Sequence, residues 1–164
     1  MARHIALLRG INVGSSRIIK MADLREMFVA AGARDVETYI QSGNVVFSHP
    51  RPTAARFEKE IAKRTGFDVT VVLRTADEWR ALAHPFDGDE HVHVFFLAAA
   101  TPCKVVASSP EAYEVRGRDV FVYLPNGMGR SKLAGALGRA LPTATARNWR
   151  TVQQLRAMAI ESGE

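Results

Sequence analysis

Four consecutive apolar residues, Ile5-Ala6-Leu7-Leu8, end at Arg9-Gly10 and read as a buried strand. A polar loop, Gly10 to Lys20, follows. Leu24, Met27, Phe28 and Ala31 then recur at the spacing of an amphipathic helix, with Gly32 as its stop. Val36 to Ile40 is predicted as a strand with Val36, Thr38 and Ile40 on one face. Ser42-Gly43-Asn44 marks a turn and Val45-Val46-Phe47 the returning strand. Thr53 is placed to cap a second helix with Phe57 and Ile61 inward and Gly66 as its stop. Val69 to Leu73 is a β-branched strand. This order is the β-α-β-β-α-β of a ferredoxin-like unit. Its expected core holds Leu7, Leu24, Phe28, Ile40, Val46, Phe57 and Ile61.

The second half is expected to repeat the order without repeating the residues. Thr75-Ala76-Asp77-Glu78 is a capping box opening a short helix with Trp79 and Leu82, ended by His84-Pro85. His91 to Leu97 reads as a strand and Pro102 to Ala107 as one or two helical turns. Tyr113 to Arg116 and Val120 to Leu124 flank Gly117-Arg118-Asp119 as a hairpin. Ser131 to Leu141 is a helix with Leu133 and Leu137 inward, and Thr143 to Ala146 a short strand. Asn148 caps a terminal helix with Val152, Leu155 and Ala159 on its buried stripe. The fold class expected is α+β, two tandem ferredoxin-like halves with a C-terminal helix. The halves are placed at residues 1–75 and 91–164, joined by a helix and loop over 76–90.

Composition narrows the class. Of 164 residues, 47% are hydrophobic and 24% charged, a globular rather than disordered balance. The single cysteine, Cys103, rules out an internal disulfide framework and a four-cysteine zinc site. The longest apolar stretch, Val92 to Ala100, is far below the roughly 18 residues of a membrane helix. No secretory pattern is visible after Met1, so a cytoplasmic protein without a membrane partner is expected. The net charge of +5 is uneven: basic residues dominate 1–85 and 130–164, and acidic ones 86–129. Such asymmetry suits one anion-attracting face, and ordinary solubility charge accounts for a net of this size equally well.

Three clusters are placed to meet an anion. Arg9, Gly10, Asn12, Gly14 and Lys20 lie on a glycine-containing loop between a strand and a helix, a layout that offers backbone N–H groups. The spacing fits neither a Walker A loop nor a dinucleotide fingerprint. Arg130, Ser131 and Lys132 occupy a second strand-to-helix junction, where cations oppose the helix dipole unless an anion intervenes. The flanking loops hold no Asp or Glu. Arg147, Asn148 and Trp149 form the third; Trp149 reads first as a core residue and second as a stacking platform. Ser42, Gly43 and Asn44 add neutral donors, with the turn that holds them expected at the opposite end of the sheet from the Gly10–Lys20 loop. His91 and His93 share a strand face without a third ligand, so no metal site is assigned, and no cofactor signature is present.

The stretches Ala6-Leu7-Leu8-Arg9-Gly10-Ile11-Asn12-Val13-Gly14, Lys20-Met21-Ala22-Asp23-Leu24 and Thr38-Tyr39-Ile40-Gln41-Ser42-Gly43-Asn44-Val45-Val46-Phe47 resemble motifs of the bacterial domain-of-unknown-function family 1697. Gly129-Arg130-Ser131-Lys132-Leu133 and Thr145-Ala146-Arg147-Asn148-Trp149-Arg150-Thr151-Val152 resemble its C-terminal motifs. The resemblance implies an α+β fold of ferredoxin-like halves and brings no activity, cofactor or catalytic residue.

Three functions compete. A binder of phosphate-bearing ligands, nucleotide or nucleic acid, fits the basic clusters. Readout on an aromatic sheet is disfavoured, because Ile5-Ala6-Leu7-Leu8 has no aromatic residue and its partner strand offers only Phe47. An enzyme acting on a phosphorylated small molecule would use the same cations, yet no general base is evident. A protein-interaction module would leave the motifs structural. Oligomeric state, and whether the clusters form one site or several, stay open.

Overall fold

The computed structural model describes residues 2–161. The chain divides into two compact units: residues up to Leu82 together with those from Gln154 onward, and Ala83–Gln153. Two four-stranded antiparallel sheets carry the α+β architecture, and a C-terminal helix follows the last strand. No helix among the described residues is long and apolar enough to cross a membrane.

The first unit runs β1 (Arg3–Leu8), α1 (Met21–Ala30), β2 (Arg34–Tyr39), β3 (Asn44–Ser48), α2 (Ala54–Thr65), β4 (Val71–Thr75) and the short α3 (Ala76–Arg80). Its sheet order is β2-β3-β1-β4. Every residue of β1 is buried, which explains an unbroken apolar run in place of alternation. Ala6, Leu8, Val45, Phe47 and Val71 pack against Leu24, Met27, Phe28, Phe57 and Ile61 of the two long helices. Phe28 stacks on Phe57 at 4.3 Å, and Phe47 meets both edge-on at 5.3 and 5.1 Å. Truncating such a side chain to Ala costs about 3–5 kcal/mol.

The helix boundaries follow local chemistry. The Thr53 hydroxyl accepts from the Arg56 N–H at the start of α2, and Gly66 ends that helix in the left-handed conformation. Thr75 and Glu78 form the expected capping box at α3. Trp79 and Leu82 are buried, and the Arg156 guanidinium donates to both of their carbonyls.

The second unit runs β5 (Val92–Phe96), β6 (Ala112–Arg116), β7 (Asp119–Tyr123), α4 (Lys132–Ala140) and β8 (Thr145–Asn148), leading into α5 (Trp149–Glu161). The sheet order β6-β7-β5-β8 places its strands as in the first sheet. Phe95, Leu97, Val120, Val122 and Leu124 pack with Leu133, Ala134 and Leu137 of α4.

Three expectations are corrected. Residues 102–107 are not helical. Cys103, Val105 and Ala107 turn inward while Lys104 and Val106 face out, a period of two that suits the adjacent β-branched valines better than a helix does. The second sheet therefore lacks a helix between its first two strands. Ile40 is not in the core: β2 ends at Tyr39, and Ile40 enters the turn at φ 47° with 49% exposure. The loop after β1 and the turn before β3 lie at the same end of the sheet, not at opposite ends. Strand β3 is antiparallel to both β1 and β2, so those two strands run the same way and finish together.

Candidate functional site

At that shared end of the first sheet the sequence motifs lock to one another. The Asn12 amide donates to the Ile19 carbonyl at 3.0 Å and to the Gln41 carbonyl at 2.7 Å, while its oxygen accepts from the Ile19 N–H at 2.8 Å. The Asn12 N–H also donates to the Arg17 carbonyl, closing the loop upon itself. Asn44, fully buried, donates to the Tyr39 carbonyl and the Ser42 hydroxyl. Gly43 gives its carbonyl to the Leu8 N–H at 2.9 Å. A Cβ on Gly43 would sit 2.8 Å from Ile11 and 2.9 Å from Leu8, so only glycine fits there.

The cations of this end are largely spoken for or balanced. The Arg17 guanidinium donates to the carbonyls of Gly10 and Asp68 and lies over the Phe67 ring. Arg9 and Arg17 share a depression of about 270 Å³ with Glu58 and Asp68. Two cations and two carboxylates make the lining of that depression formally neutral. Lys20 precedes α1 and is exposed, and its side chain makes no cap. Gly10 and Gly14 take positive φ in the exposed part of the loop.

The second unit differs. Arg130, Ser131 and Lys132 line a groove of about 720 Å³ together with Ser108, Ser109, Glu111, Asn126, Gly135 and Arg139. The Ser131 hydroxyl caps α4 by accepting from the Ala134 N–H at 2.9 Å. The Glu111 carboxylate accepts from the Leu133 N–H at 3.3 Å. The carboxylate absent from the flanking loops therefore arrives from a distant one, and it offsets the clash between Lys132 and the helix dipole. The side chains of Arg130, Lys132 and Arg139 make no hydrogen bond or ion pair among the described residues.

The third cluster is not part of this groove. Arg147 is buried on β8, its guanidinium donates to the Ala146 carbonyl at 2.8 Å, and burial pushes it down to about 10. The Asn148 side chain accepts from the Thr151 N–H at 2.8 Å, capping α5. Trp149 is buried with its ring against the edges of His84 at 4.7 Å and Phe121 at 6.5 Å. His84 in turn bonds Asp89 at 2.8 Å and accepts from the Phe86 N–H, so both of its nitrogens are occupied.

Two charged groove residues, Arg139 and Glu111, lie outside the clusters expected from the sequence. Arg139 follows Lys132 by seven positions, a spacing that returns to one helix face and was available as a signal. Glu111 offers none, since it meets the helix only through the tertiary fold. No group of three or more metal-ligating side chains with room for an ion occurs among the described residues.

No curated protein matches this chain. Among solved structures it is similar to a conserved bacterial protein from Streptococcus pneumoniae, with 22% identity over 97% of this chain and 98% of that one and a TM-score of 0.77. At that identity the likeness bears on the fold alone. The family model described as "Protein of unknown function (DUF1697)" matches residues 1–121, and the chain belongs to that family.

Proposed function

We propose that this protein binds a phosphate-bearing ligand in the groove along α4, through Arg130, Lys132 and Arg139. One observation carries the reading: these three unpartnered cations line a single groove, and the carboxylate beside them, Glu111, is held by a backbone N–H. Ser108, Ser109 and Asn126 supply neutral donors along the same groove. The reading is one of binding: the Glu111 carboxylate accepts from the Leu133 N–H and the Ser131 hydroxyl from the Ala134 N–H, so both are engaged by the start of α4. Phe47 is fully buried in the first core, which argues against an aromatic sheet as the recognition surface.

The test is a titration with adenosine triphosphate at low ionic strength. Binding that weakens with added salt, and by about 1–3 kcal/mol for each hydrogen-bonded charge lost in Arg130→Ala and Lys132→Ala, supports the reading. Absence of binding to any phosphate probe removes it.

A second reading, an interaction module, draws on the first unit. Val13, Ile18 and Ile40 are exposed by 65%, 55% and 49% on the loop and turn that Asn12 ties together. We further read each sheet with its helices as a ferredoxin-like half. The matching strand orders support this, with the second half departing where extended chain replaces the helix after β5.

A further inference from the structure

We infer that the groove takes single-stranded nucleic acid, with successive phosphates of one strand lying along α4; this deepens the phosphate-binding reading and rests on it. A lone phosphate is best held where donors converge, above all on the free N–H groups that begin a helix. That place is filled here. The Leu133 N–H donates to Glu111 and the Ala134 N–H to the Ser131 hydroxyl, so a single phosphate at the start of α4 meets a carboxylate and few free amides.

The cations are instead strung out along the helix. Lys132 opens α4 and the Arg139 backbone stands seven residues on, about 10 Å along the axis at ~1.5 Å per residue, with its guanidinium at the level of Gly135, about 4–5 Å past the Lys132 backbone. The Arg139 guanidinium leans back over Gly135, where a Cβ would lie 3.5 Å from its Nη1. Arg130 precedes the cap at the other end. Separated charges of one sign match a ligand that repeats its own charge at intervals, as a nucleic-acid strand does. A phosphopeptide brings one concentrated dianion, for which a converging arginine cluster is the matching receptor.

The walls agree. Gly135 and Ala136 add little bulk beside the cations, so a backbone can come close. Val106, 88% exposed, and Pro110 offer apolar surface on the other side. No aromatic side chain lines the groove, so base stacking contributes little and recognition is tolerant of sequence and sensitive to salt.

The experiment compares thymidine monophosphate, a labelled oligothymidylate of about eight nucleotides and a phosphoserine peptide on the full chain, over a range of salt. The expected result is oligonucleotide binding at least tenfold tighter than the mononucleotide. Its log–log salt slope should be about −2, three phosphates at roughly 0.7 each. Arg139→Ala should make the slope shallower by about 0.7. Circular dichroism of each variant confirms that the fold is kept. Equal affinity for mononucleotide and oligonucleotide overturns the strand inference and leaves phosphate binding standing, as does preference for the phosphopeptide. Oligonucleotide binding unchanged in both Arg139→Ala and the Arg130→Ala/Lys132→Ala double variant removes the groove from either reading. No binding of any probe at low ionic strength ends both.

Discussion

The Asn12 amide donates to the Gln41 carbonyl at 2.7 Å, joining the loop after β1 to the turn before β3. Asn12 itself sits at φ 54°, Arg17 at 53° and Ile40 at 47°. Asparagine tolerates the left-handed region; a β-branched isoleucine there is a true outlier. The surrounding bonds hold these residues in place, so the Arg9–Gly14 and Ile40–Asn44 motifs act first as a clamp that shapes one end of the sheet. The strain is local and specific, which makes it open to mutation.

Asn12→Ala removes three side-chain hydrogen bonds and keeps the unfavourable φ. A loss of about 2 kcal/mol is expected, read as a lower urea midpoint at constant slope. Asn12→Gly loses the same bonds but relieves the backbone, so it should fall short of the alanine loss by roughly 1 kcal/mol. Equal losses would mean that the left-handed conformation contributes nothing.

Gly43→Ala and Gly10→Ala separate crowding from backbone strain. Both positions have positive φ, 93° and 69°. Only at Gly43 would the new methyl collide with Leu8 and Ile11; at Gly10 nothing lies within 4 Å. Gly10→Ala should cost about 1 kcal/mol and Gly43→Ala at least ~1–3 kcal/mol more. Similar midpoints for the two variants would contradict the close approach of the turn to β1.

The sequence carried some of this and not the rest, for identifiable reasons. Helix α2 was legible because its signals are local: Thr53 before it, Phe57 and Ile61 along it, Gly66 after it. Residues 102–107 misled because proline and small residues resemble a helix start, while the decisive inward turn of Cys103, Val105 and Ala107 depends on a core that only folding assembles. Ile40 misled because alternation continued one residue past the strand. The cations of the groove were visible as residues, but their shared wall was not. Arg139 reaches Gly135 through the helix, and Glu111 reaches Leu133 through a contact 22 positions away.

Stability should fall on mild acidification. Burial, the largest cause at both sites, pushes His4 and His93 below the ordinary 6.5. The His4 ring meets the His49 carbonyl at 3.2 Å, and that contact and the Glu78 carboxylate raise its pKa without overcoming the burial. The unfolded chain takes up protons near pH 6.5 while the native state resists until lower pH. The unfolded state thus binds more protons across that interval, and stability rises with pH there. The contribution is complete above 6.5 and is lost as pH falls below it toward the native values. Urea midpoints between pH 8 and 5 should show this slope, flattened in a His4→Gln/His93→Gln variant. An unaltered slope in that variant would place the acid sensitivity elsewhere.

Glu111→Gln should move stability and binding in opposite directions. The carboxylate lies at the positive end of α4, where an anion is worth about 0.3–1 kcal/mol, and it accepts from the Leu133 N–H. Glutamine keeps an acceptor and loses the charge, so the second unit should be destabilised by about 0.5 kcal/mol. The same change removes the one negative charge that lines the groove with Arg130, Lys132 and Arg139. Affinity for an oligonucleotide should then rise severalfold at low ionic strength, and the gain should shrink as salt screens the surface. Weaker binding in Glu111→Gln would reverse the assignment: the carboxylate would then be orienting one of the three cations toward the ligand, and the groove would have to be read as a site with a fixed ion pair at its centre.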